Sequence, residues 1–86
     1  MTNKELKQKI VEIFNMWEVI YSKRKQLDVG VIRLWRLRKM KEECRQYLSI
    51  LDLPDSRSYT TKKMIRDILM THSAFESILS VLHEEE

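Results

Sequence analysis

Eighty-six residues are enough for a single helical domain, expected over 1–86, which would bury roughly two-thirds of the surface its unfolded chain exposes. One Gly and one Pro in a chain with 34% charged residues disfavour a sandwich or barrel, whose many turns need more of both, and predict an all-α fold of long helices. The net charge of +3 is uneven: residues 1–22 balance, 23–45 carry nine Lys/Arg against three acids, and the last sixteen hold four Glu and no Lys or Arg.

Thr2-Asn3-Lys4-Glu5 has the spacing of a capping box and predicts a helix start. Leu6, Ile10, Ile13, Trp17, Ile20 and Leu27 follow in alternating steps of four and three, interrupted only by Arg24, and extend the first helix over about 3–27. Trp17 lies at the centre of this stripe and is expected in the core. Asp28-Val29-Gly30 is the one stretch with glycine, which commonly takes the left-handed conformation after a helix, and it predicts a turn into the second helix.

That helix is expected over about 31–52, ended by Leu53-Pro54. Its apolar residues fit no single face. On a wheel of about 100° per residue centred on Cys44, Leu37, Met40, Tyr47, Leu48 and Leu51 fall within roughly 60° of centre, whereas Val31, Ile32 and Trp35 point to the opposite side. The second half is therefore expected to pack on its own chain, while the first turns offer apolar surface interleaved with arginine. A competing expectation is that the turn is longer and Trp35 folds back as a lid.

Residues 54–59 have loop composition, and a third helix is expected over about 60–83 from the rhythm of Ile65, Ile68, His72, Phe75, Leu79 and Leu82. Ser73-Ala74-Phe75-Glu76 matches a second capping box, which leaves the alternative of four helices with a break near 71–73. The unbroken stripe favours an antiparallel three-helix bundle.

Chemistry has few candidates. Cys44 sits mid-stripe as a small core residue, and His72 is expected at the core boundary with its polar tip in water. No Cys-x-x-Cys or His-x-x-x-His occurs, one glycine cannot build a phosphate loop, and no paired carboxylates stand out. The chain is accordingly expected to be a non-enzyme without metal, cofactor or small-molecule substrate. A lone cysteine and the lack of a signal-like opening predict an intracellular, reducing location, cytoplasmic or nuclear. No apolar run approaches the ~20 residues of a membrane span.

What remains is contact. Trp and Arg are the residue types most enriched at interface hot spots, so Val31, Ile32, Trp35, Arg36, Arg38 and Lys39 form the expected binding surface for a protein partner or a second copy. Off-stripe Val11, Met16, Val19, Met70 and Val81 add apolar surface to the same expectation of an oligomer or adaptor. The rival reading is nucleic-acid binding at the basic hairpin end, with Lys23, Lys25, Arg33, Arg36, Arg38, Lys39, Lys41 and Arg45 on phosphates and Trp35 stacking on a base. Glu42 and Glu43 dilute that patch.

Overall fold

The computed structural model describes residues 1–26 and 31–84, apart from the side chains of Val31, Ile32 and Glu84. Helix α1 spans Asn3–Ser22. Thr2 is extended, its hydroxyl accepts the Glu5 backbone N–H at 3.1 Å, and the Glu5 carboxylate returns to the Thr2 backbone N–H at 3.5 Å, so the expected capping box forms. Leu6, Ile10, Ile13, Trp17 and Ile20 are all buried, as the stripe predicts.

The helix does not run to 27. At its end the Ser22 hydroxyl donates to the Val19 carbonyl at 2.9 Å and the Arg24 guanidinium donates to the Tyr21 carbonyl at 2.8 Å, while 23–26 form turns. These donors satisfy terminal carbonyls that another helical turn would otherwise have to meet. Arg24, the residue that interrupts the stripe, thus serves the helix end. Leu27 and the expected turn at Asp28-Val29-Gly30 lie outside the described residues.

Helix α2 spans Val31–Leu51. The Asp52 backbone N–H still reaches the Leu48 carbonyl at 3.0 Å, but Pro54 has no N–H to offer, and the chain passes into a short 3-10 turn at Ser56–Ser58 within the expected loop. Thr61 then starts α3, Lys62–Glu84, its hydroxyl accepting the Met64 backbone N–H at 3.1 Å.

Helix α3 is continuous through 71–73, so the four-helix alternative is not realised. The residues of its internal capping-box match are engaged otherwise. Glu76 turns its carboxylate to His72 Nδ1 at 2.7 Å, and the Ser73 carbonyl accepts the Ser77 hydroxyl at 3.1 Å.

The three helices form an antiparallel bundle measuring 43 × 22 × 18 Å, with no strand among the described residues. At one pole the start of α1 meets the end of α2, where Lys7 pairs with Asp52 at 2.6 Å and the Asn3 amide donates to Ser56 Oγ at 2.7 Å. Helix α3 packs most extensively on α1 and least on α2. The core joins the α1 stripe to Leu37, Cys44 and Leu51 of α2, spaced by seven, and to Met64, Ile68, Phe75, Ile78 and Leu82 of α3. Trp17 is its aromatic centre, 6.3 Å from Phe75 and 5.5 Å from Tyr21 between ring centroids.

The α2/α3 seam is fastened toward the pole where α2 ends. Tyr47 Oη donates to Asp67 Oδ2 at 2.8 Å, and Lys63 Nζ lies 2.8 Å from the same oxygen. The Lys63 ammonium, seconded by the Tyr47 hydroxyl, holds the Asp67 carboxyl below the usual carboxylate range.

Two outcomes are expected from these contacts. Phe75→Ala should destabilise the bundle by about 3–5 kcal/mol in chemical denaturation, against about 1 kcal/mol for Thr2→Ala. A carboxyl depressed in the folded state stabilises it above the unfolded value and loses that contribution as pH falls through the folded one. Asp67→Asn should therefore lower stability at neutral pH and flatten the acid limb of the stability curve, measured by denaturant midpoints across the acid range.

Candidate interaction surface on the second helix

Of the apolar residues expected on the far side of α2, Trp35 is the one whose side chain is described, and it faces outward, while Leu34 packs toward the core. Leu37, Cys44 and Leu51 are buried, with Met40, Tyr47 and Leu48 packed beside them, whereas Trp35 is 60% exposed. The lid expectation for Trp35 is thereby corrected: α2 is already helical at Val31, and at Trp35 the wheel position opposite Cys44 faces solvent. The Lys39 ammonium, one turn on along the same helix, lies 5.4 Å from the centroid of its indole ring. With Arg38 and Glu42 these residues line a shallow depression on the outer face.

Of the expected partner-binding set, Trp35, Arg36, Arg38 and Lys39 are thus exposed on α2, while the side chains of Val31 and Ile32 lie outside the described residues. The eight basic residues of the nucleic-acid reading are not brought to one face. Lys23 and Lys25 sit in the turns after α1. Lys41 is turned inward toward α1, its side chain only 12% exposed, with its ammonium 5.3 Å over Trp17 and 3.3 Å from Glu42. Arg45, its side chain exposed, lies 5.6 Å over Phe14 and 3.4 Å from Glu42. Arg38 and Lys39 share the outer face with Trp35, and Arg33 and Arg36 turn toward α3.

That last pair marks a feature the sequence reading did not anticipate. A cleft of about 430 Å³ opens between the first half of α2 and the last half of α3. Its walls are Arg33, Arg36, Leu37 and Met40 on one side and Ala74, Ser77, Ile78 and Val81 on the other. Each set follows i, i+3, i+4, i+7, so each helix presents one face for two turns, about 10 Å of length. The seam stays open for two physical reasons. Ala74 and Ser77 are too small to reach across, and Arg33 stands in the core register four residues before Leu37, where burial without a counter-charge would be costly. Neither Arg33 nor Arg36 pairs with a carboxylate among the described residues.

The chemistry-bearing residues lie elsewhere. Cys44 is 1% exposed, and burial pushes its thiol up to about 11, opposed by a hydrogen bond with Thr71 and aided by the nearby Glu43 and Asp67 charges. His72 is buried, which corrects the expectation of a polar tip in water. Its Nδ1 lies 2.7 Å from Glu76 and its Nε2 3.3 Å from Glu12 of α1, so two carboxylates replace solvent at the two edges of the ring. Because they occupy opposite edges, they do not converge on one point, and no group of three metal-ligand side chains forms among the described residues. Nor is any described helix long and apolar enough to cross a membrane.

No protein-family model, curated protein or solved structure matches this chain.

The thiol supplies a check on this geometry. An unfolded cysteine ionises near its ordinary value of 9.0, whereas the folded one keeps its proton to about 11, so alkaline pH favours the unfolded chain across that window. Native protein should react slowly with an aromatic disulfide reagent in mildly alkaline buffer and rapidly once denaturant is added. Cys44→Ala should remove the corresponding loss of stability between those two values, read from denaturant midpoints.

Proposed function

We propose that this chain is a non-enzymatic helical module that works by binding another protein chain through the first turns of α2, as an adaptor, regulator or subunit of a complex. The observation that carries the reading is the 60% exposure of Trp35 on a helix whose opposite face is core. A large aromatic left in water forfeits the burial that stabilises its counterpart Trp17, and a partner surface would recover it. Arg36, Arg38 and Lys39 surround it with exposed cations, the combination of aromatic anchor and arginine found at interface hot spots. Exposed Val11, Val19 and Met70 supply further apolar surface for a second copy or a larger assembly. The one free cysteine, buried as a thiol, suits a reducing compartment, cytoplasmic or nuclear.

Nucleic-acid binding is the second reading, favoured by the nine Lys/Arg within 23–45. It ranks below the first because Lys41 and Arg45 are engaged by aromatic rings and Glu42, Lys23 and Lys25 lie in the turns after α1, and on α2 Arg33 and Arg36 line one depression while Arg38 and Lys39 line another.

The two readings separate on an affinity column carrying the immobilised protein. Retention of a protein partner, or self-association in sedimentation, should fall with Trp35→Ala by about 2 kcal/mol, some thirtyfold in affinity, as for a hot-spot residue. If nucleic acid is what the column retains, each phosphate contact adds about −0.9 to the slope of log affinity against log salt on duplex DNA. Retention that is steep in salt, abolished by Arg36→Glu with Arg38→Glu and untouched by Trp35→Ala would replace the interaction module with the second reading.

A further inference from the structure

We infer that the cleft between α2 and α3 is a docking trough for an amphipathic helix of a partner chain whose apolar stripe is flanked by carboxylates. The inference rests on the reading of this protein as an interaction module but concerns a different face from Trp35. Three features define the occupant.

The first is the shape. Two helices each turn an i, i+3, i+4, i+7 face toward one open trough for two turns, which is the footprint a further helix leaves when it lies along two others. A partner helix seated there would close the one weakly packed seam of the bundle and complete a four-helix arrangement.

The second is the floor. Leu37, Met40, Ala74, Ile78 and Val81 are apolar, and the one hydroxyl among the lining residues, on Ser77, is turned back to the Ser73 carbonyl at 3.1 Å. That hydroxyl makes no demand on an occupant. Val81 is 47% exposed and stands on the trough with its apolar surface in water.

The third is the charge. Arg33 and Arg36 are the charged residues lining the trough, they share its α2 wall, and no described carboxylate pairs with them. A guanidinium takes a carboxylate in a two-pronged hydrogen bond, so the arginines select acidic residues beside the apolar stripe. A small apolar acid meets the charge requirement but leaves much of a two-turn open trough in water, whereas binding sites for small ligands enclose most of the ligand surface.

The test uses the full chain and fluorescent peptides of about four helical turns, with leucines at i, i+3, i+4 and i+7 and glutamates flanking them. One comparison peptide has the same composition with the leucine spacing scrambled, and another has lysine for each glutamate. The glutamate peptide should bind with saturation and the scrambled one should not. Val81→Glu, a change at a half-exposed position whose fold is checked by circular dichroism, should weaken binding about tenfold, as should Arg33→Glu with Arg36→Glu. The lysine peptide should bind that doubly reversed variant better than it binds the wild type.

Equal binding of the scrambled peptide would reduce the effect to bulk charge and overturn the trough. So would a failure of all three peptides, or dodecanoate binding one-to-one where the peptide does not. A dimer in sedimentation that Val81→Glu dissociates would make a second copy the occupant and overturn the acidic partner. Trp35→Ala should leave peptide affinity unchanged; if it lowers affinity as much as Val81→Glu does, the peptide sits on the outer face, and the trough falls while the interaction module stands. Loss of the Trp35-dependent association with peptide binding intact would instead strike the broader reading and spare the trough.

Discussion

One side chain, the indole of Trp17, meets groups from all three helices of the bundle. It meets Phe75 of α3 at 6.3 Å, Tyr21 of its own helix at 5.5 Å and the ammonium of Lys41 on α2 at 5.3 Å, so all three helices are referred to it. Helix α1 is consequently the shared partner, with its stripe wide enough to serve both neighbours. Helices α2 and α3 are held next to each other largely because each is held to α1, and the quality of their mutual seam is left to local residues.

Those residues differ along its length. Toward the pole where α2 ends, Tyr47, Asp67 and Lys63 form a compact polar clasp, and higher up the Cys44 thiol and Thr71 meet across the same seam. Beyond Met40 no polar clasp of this kind crosses the seam among the described residues. Arg33 and Arg36 occupy positions where apolar residues would be needed to close the contact, and Ala74 and Ser77 face them with almost no side-chain volume. A charged group enters a low-dielectric seam only with a counter-ion, so the helices part where the arginines begin. The open trough and the outward-facing Trp35 are two consequences of the same sequence change at the start of α2.

Much of this was readable beforehand because it depends on residues close in sequence. The α1 stripe follows one period, the capping box at Thr2 and Glu5 is a matter of three residues, and Trp35 opposite Cys44 is simple helical geometry. The features that the spacing does not give depend on where a side chain turns or on residues far apart in the chain. At the end of α1 the Arg24 guanidinium meets the Tyr21 carbonyl, and a stripe count treats Arg24 as a gap rather than a cap. Sequence alone leaves His72 with a polar tip in water, because Glu12 lies sixty residues away and reaches it only through packing of α1 on α3. The trough could not be seen at all without knowing that residues 33, 36, 37 and 40 face 74, 77, 78 and 81. Its two signals, an arginine in a core register and a pair of small residues three apart, mean little until those faces are set opposite one another.

The unequal burial of the two tryptophans has a practical side. Trp17, 6% exposed among aromatic and aliphatic neighbours, and Trp35, 60% exposed beside a lysine, are the only indoles in the chain. Their emission is therefore a two-part signal with a fixed division of labour. The blue component reports on whether the three helices are assembled. The red, quencher-accessible component reports on what lies against the outside of α2, so a single unlabelled sample can distinguish a protein that has come apart from one that has met something.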